Sequence, residues 1–160
     1  MVRVSARACA GFTLIELLVA LVLLALLVTA ASPVLQLNGK REKERELKRA
    51  LWQIRDALDA YKEAADQGLI KKTAEDSGYP PNLTILVTGV ENAKDAKKKK
   101  LFFLRRIPRD PFATDSQLSN ADTWRIRAYD GAIDDMAKDV YDVSSRSSAI
   151  GINQQPYSEW

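Results

Sequence analysis

An apolar run, LLVALVLLALLVTAASPVLQL at residues 17–37, starts directly behind a carboxylate, Glu16. A helix of about 20 apolar residues is long enough to cross a hydrocarbon core of roughly 30 Å, so this run, with Phe12 to Ile15 ahead of it, can span a membrane. What remains of the 160 residues, at 28% charged and a net charge of +3, is enough for one ordinary domain and too little for two. The single cysteine, Cys9, lies upstream of the run and histidine is absent. That excludes a disulfide framework and a cysteine-based metal site, and it removes the commonest general base and zinc ligand. Ser, Asp and Lys are present without a recognisable nucleophile spacing, so no enzyme constellation stands behind the sequence.

Three readings compete for the N-terminus. A secretory signal peptide would use Arg3 and Arg7 as its basic region and Val28-Thr29-Ala30 as its cleavage site, but Glu16 stands where its apolar region should begin. A lipoprotein anchor on Cys9 is excluded by order, because that cysteine precedes the apolar run. The third reading rests on the string GFTLIELLVALVLLALLVTAASP: a short basic leader ending in glycine, then phenylalanine, then a glutamate at the fifth position after the glycine, then a long apolar helix. This string resembles the N-terminal signature of type IV pilins and of the pseudopilins of type II secretion systems. The resemblance implies that a prepilin peptidase cuts between Gly11 and Phe12 and that Phe12 becomes an N-methylated first residue. It also makes Glu16 the assembly residue and Pro33 the site of a helix kink.

Physical chemistry supplies a reason for the carboxylate. An ionised acid inside a bilayer costs about 2.5–3.5 kcal/mol on translocon scales and therefore needs a partner. In a stacked filament, the resemblance implies, that partner is the amine of Phe12 on the same or an incoming subunit, with a low-dielectric surrounding strengthening the attraction. The alternative is an interfacial glutamate snorkelling to lipid headgroups. Charge counting does not give the topology: Arg3 and Arg7 in the leader are outnumbered by Lys40, Arg41, Lys43, Arg45, Lys48 and Arg49 beyond the span, which by the positive-inside rule favours the opposite orientation. The resemblance places the leader in the cytoplasm and the C-terminal domain in the periplasm, because the processing site must face its peptidase.

Beyond the apolar run, Leu47, Leu51, Ile54, Leu58, Tyr61 and Ala65 recur at spacings of 4, 3, 4, 3 and 4, which predicts an apolar stripe on a continuing helix. Glu44, Lys48, Arg49, Arg55, Asp56 and Asp59 are assigned to its solvent side, with Glu44 and Lys48 as an i,i+4 pair. Roughly three heptads is the lower limit for a coiled coil, so the stripe is read as the docking face for the chain's own small sheet. With a bend at Pro33 and some loosening at Gly39, the helix from Phe12 to near Asp66 would be about 80 Å long at 1.5 Å per residue.

Gly68, Gly78 and Pro80-Pro81 end that helix. Asn82 is expected to cap a short helix over Leu83 to Thr88, with Gly89 as its stop. ENAKDAKKKK is read as a solvated loop, since no aromatics interleave with the lysines as they would in a single-strand nucleic-acid binder. Residues 104–112, LRRIPRDPF, resemble the loop that precedes the sheet in the major pseudopilin of type II secretion, as does the Tyr79-Pro80 pair upstream. Alternation at Trp124, Ile126 and Ala128 predicts a half-buried strand, and a second is expected over Val140 to Ser144. Such short strands must pack on the helical stripe. The expected fold class is α+β: a long, kinked N-terminal helix, membrane-spanning in its first half, packed on a small antiparallel sheet in a pilin-like lollipop. Its divisions are a prepilin leader at 1–11, a transmembrane and assembly helix at 12–37, and a periplasmic pseudopilin domain at 38–160.

Major pseudopilins of this type hold calcium in a C-terminal loop, but SSRSSAIGINQQPYSEW here contains no aspartate. The Asp-rich DGAIDDMAKD upstream lacks EF-hand spacing. The expectation is therefore no calcium and no other cofactor. The function implied is a structural subunit of a short periplasmic pseudopilus at the inner membrane that drives protein export. Its implied partners are other pseudopilin subunits, the prepilin peptidase, the inner-membrane assembly platform and membrane lipid, with no nucleic acid. A type IV pilus subunit and a membrane-tethered periplasmic binding domain are the alternatives. The Tyr-Pro and Asp-Pro strings, and the lack of the cysteine pair that staples a pilin's C-terminal loop, favour type II secretion.

Overall fold

Residues 41–66 contain neither glycine nor proline and are rich in Ala, Leu, Glu, Lys and Arg, so helix is their favoured state before any packing is counted. The computed structural model describes residues 12–160, with the backbone alone at 30–36 and 135. The chain divides into two units, one up to Lys40 and one from Arg41 to Trp160. Helix α1, Leu14–Asp66, supplies most of the first unit and begins the second. The bend expected at Pro33 falls in residues 30–36, outside the described side chains.

In the second unit the expected stripe is the core. Leu47, Leu51, Ile54, Leu58, Tyr61 and Ala65 are all buried, together with Leu83, Leu86, Leu104, Trp124, Val140, Val143 and Tyr157 from the rest of the unit. Each fully buried aliphatic side chain of this size contributes about 1.5–3 kcal/mol. Helix α1 ends in a Schellman motif. The Gly68 N–H donates to the Ala65 carbonyl at 3.0 Å and the Leu69 N–H to that of Ala64 at 2.9 Å, with Gly68 in the left-handed region at φ +71°.

The short helix is α2, Ile85–Thr88, two residues shorter than expected because Leu83 and Thr84 form a tight turn ahead of it. Asn82 still serves its N-terminus, its Oδ1 accepting the Ile85 N–H at 3.1 Å. Gly89 stops it at φ +77°, and a Cβ there would lie 2.8 Å from the Phe102 ring and 2.9 Å from the Leu101 carbonyl oxygen. That close approach belongs to a hairpin the sequence did not announce: β1, Val90–Glu91, pairs antiparallel with β2, Lys100–Leu101. The lysine-rich stretch is the connection between them, and two-residue strands are too short to leave a readable alternation.

The second sheet pairs β3, Trp124–Arg127, with β4, Asp142–Ser145, antiparallel and in the register Trp124↔Ser145 to Arg127↔Asp142. Strand β4 starts two residues later than expected because the Val140 N–H is taken by the Pro80 carbonyl at 2.8 Å, while the Tyr141 N–H reaches Arg127 at 2.9 Å. The described residues thus form an α+β fold, a long N-terminal helix followed by small antiparallel sheets. There are two such sheets of two strands in place of the single one expected.

Candidate functional site

The N-terminal segment is the first place to look for function. Phe12 and Thr13 lead into α1; Thr13 Oγ1 accepts the Glu16 backbone N–H at 3.3 Å, and the Thr13 carbonyl accepts the Leu17 N–H at 3.2 Å. Thr13-x-x-Glu16 has the spacing of a capping box, and a carboxylate in the first turn also meets the positive end of the helix dipole. The bond to Thr13 uses the Glu16 backbone, while the Glu16 carboxylate favours the helix start through the dipole. Among the described residues its carboxylate has no ion-pair partner. Gly11 lies outside the described residues.

From Leu14 to Val28 every leucine, isoleucine and valine is exposed, on all faces of the helix, and Phe12 ahead of them is 83% exposed. A helix that is apolar all round belongs in an apolar environment, either lipid or other helices. Among the described residues no helix is long and apolar enough to cross a membrane. Within the expected span at 12–37 the described side chains run to Thr29 and resume at Leu37, and those at 30–36 lie outside the description.

In the second unit three polar side chains tie the chain together, and the sequence reading assigned two of them wrongly. Glu44 does not pair with Lys48 on the solvent side. It is buried, and its Oε1 accepts the Tyr157 hydroxyl at 2.9 Å and the Ile152 N–H at 2.8 Å. Burial pushes the Tyr157 hydroxyl above its ordinary pKa, and the hydrogen bond to Glu44 and that carboxylate's charge push the same way. Lys48 instead lies over the Trp160 ring, 4.6 Å from its centroid. Arg55 is also not a solvated helix charge: it donates to Asp142 Oδ1 at 2.7 Å, the Val143 carbonyl at 3.1 Å and the Trp160 carbonyl at 2.7 Å. Burial raises the pKa of Asp142, but hydrogen bonds from Arg127 and Arg55 outweigh it and hold the carboxyl below the usual range. The third is Asp110, in the LRRIPRDPF loop. It is buried, with Oδ2 accepting the Ser145 hydroxyl at 2.6 Å and Oδ1 the Phe112 N–H at 2.8 Å. Beside it the Trp124 indole N–H donates to the Pro108 carbonyl at 2.9 Å, so this loop is clamped onto both strands of the second sheet.

Comparison with known proteins bears on both units. The family described as the prokaryotic N-terminal methylation motif matches residues 6–32. The type II secretion system core protein G of Vibrio cholerae serotype O1 is 28% identical over 123 residues, covering 74% of this chain and 77% of that protein. The protein of the same name from Pectobacterium carotovorum subsp. carotovorum is 28% identical over 116 residues, covering 69% and 66%. The chain thus carries the N-terminal methylation motif and is similar over most of its length to type II secretion system core protein G. No solved structure matches this chain.

The Asp-rich loop, upstream of the C-terminal stretch for which the resemblance implies calcium, can be tested as a substitute site. A calcium ion takes six to eight oxygen ligands, as a rule including free carboxylates. Among the described residues no three Asp, Glu, His or Cys side chains are placed to hold a metal. The described carboxylates of residues 130–142 are already engaged by the chain's own donors: Asp130 by the Ala132 N–H, Asp134 by Arg146, Asp139 by the Tyr129 N–H and Asp142 by Arg55 and Arg127. The described carboxylates of this loop, engaged in this way, do not fit a calcium site.

Proposed function

We propose that this chain is a pseudopilin, a structural, non-catalytic subunit of a type II secretion system, polymerising into a short periplasmic pseudopilus that drives protein export. In this reading prepilin peptidase cuts between Gly11 and Phe12, the new amine of Phe12 is methylated, and the segment 12–37 anchors the subunit in the inner membrane before assembly. The second unit then stands in the periplasm. Its partners are other pseudopilin subunits and the inner-membrane assembly platform, and no metal or organic cofactor takes part.

The observation that carries the reading is the fully apolar circumference of α1 from Leu14 to Val28, interrupted by one carboxylate with no ion-pair partner among the described residues. Lipid satisfies the apolar surface, but a charge in that setting needs an opposite charge. A neighbouring subunit's Phe12 amine supplies it. Glu16→Leu is therefore expected to leave cleavage intact while filament formation, followed by electron microscopy or crosslinking in cells, falls roughly a hundredfold. That is the equivalent of about 2.5–3.5 kcal/mol per contact. Glu16→Gln separates the two roles of this residue, since it keeps a capping-box side chain but not the charge. Normal assembly of Glu16→Gln would remove the pairing role.

A further inference from the structure

The chain sets its own cation against one carboxylate of the Asp-rich loop. Arg146, just past the end of β4, reaches across the second sheet with its whole guanidinium group engaged. Its Nη2 and Nη1 bind Asp134 Oδ1 and Oδ2 at 3.0 and 3.2 Å, and its Nε donates to the carbonyls of Asp122 and Trp124, both at 3.1 Å. Asp134 Oδ1 also accepts the Ile126 N–H at 3.0 Å, so one carboxylate links the loop to β3 while Arg146 links it to the residues leading into that strand. The backbone is bent to allow this: Asp134 sits at φ +51°, in the left-handed region, which a short polar side chain tolerates better than most.

A carboxylate plus main-chain carbonyls converging on one positive centre is the kind of donor set that a hard dication recruits. Here the centre is a planar guanidinium, whose fork matches a carboxylate bidentately and whose charge does not depend on solution conditions. We propose that Arg146 is the resident cation of this loop, so that the C-terminal fold of this chain forms without the calcium ion that the resemblance to major pseudopilins implies. The comparison with those pseudopilins rests on the family reading above, whereas the test reads the folding of the loop and not assembly.

The full chain, held in detergent, is melted with millimolar calcium or with EDTA, and calcium is titrated calorimetrically. Wild type is expected to melt within about 1 °C in the two conditions and to give no binding heat. Arg146→Ala and the uncharged Arg146→Gln are each expected to lower the melting temperature by about 5 °C, and Arg146→Lys, which keeps the positive charge, by clearly less. A chelator-reversible rise in the wild-type melting temperature with calcium, or an Arg146→Gln chain as stable as wild type, would overturn the proposal. Should Arg146→Ala fail to fold, the wild-type titration and the Gln and Lys variants still decide.

Discussion

Trp124→Ala is expected to be the most damaging single substitution in the second unit, lowering its stability by about 4–5 kcal/mol. Trp124 is fully buried at the start of β3, and truncating a buried Phe or Trp costs about 3–5 kcal/mol in lost transfer energy and residual cavity. Its indole N–H also occupies the Pro108 carbonyl, and leaving a buried acceptor without its donor adds about 1 kcal/mol. The two effects share a location: the same ring fills the core and pins the LRRIPRDPF loop. Trp124→Phe separates them, keeping most of the ring and losing only the bond, with an expected cost of about 1–2 kcal/mol. Equilibrium urea unfolding of the two variants distinguishes the terms. Equal losses in both would mean that the hydrogen bond dominates and the packing account is wrong.

The second large effect is expected at Glu44. Replacing it with alanine strands the Tyr157 hydroxyl and the Ile152 N–H, two donors whose shared acceptor is the Glu44 carboxylate. Orphaning the buried Tyr157 hydroxyl costs about 1–3 kcal/mol and the more exposed Ile152 N–H adds less, so Glu44→Ala should lose about 3 kcal/mol and release the segment from Ile152 to Tyr157 from α1. Glu44→Gln keeps an oxygen acceptor of the same reach and should lose about 1 kcal/mol. Hydrogen exchange gives an independent reading: amide protection at Ile152 should fall in Glu44→Ala and largely persist in Glu44→Gln. If exchange there is unchanged by the alanine variant, Glu44 does not hold the C-terminal segment.

These two residues also mark where sequence reasoning succeeds and where it stops. The stripe from Leu47 to Ala65 was legible because burial on a helix repeats with the helix's own period. Glu44 lies three residues before Leu47, hence on the same face, but a carboxylate there reads as solvated because its partners, Ile152 and Tyr157, are 108 and 113 residues away. Asp110 was read only for its turn with Pro111, and its buried bond to Ser145 spans 35 residues. The partners that hold Arg55, namely Asp142, Val143 and Trp160, are likewise distant in sequence. Local pattern gives period, breakers and caps, and does not give the distant partner that turns a charged residue into an anchor. Strands β1 and β2 escaped for a different reason, being too short to show any period. At the N-terminus the position is reversed, since the Gly11, Phe12 and Glu16 spacing is entirely local and could be read directly, as could the Thr13-x-x-Glu16 cap.

The central claim is that a new amino terminus is made at Phe12. Mass spectrometry of the N-terminal peptide of the mature protein, isolated from its native membranes, tests this directly. The expected peptide begins at Phe12 and carries one added methyl group on its amine. An intact Met1, or a start near Ala31, would contradict it.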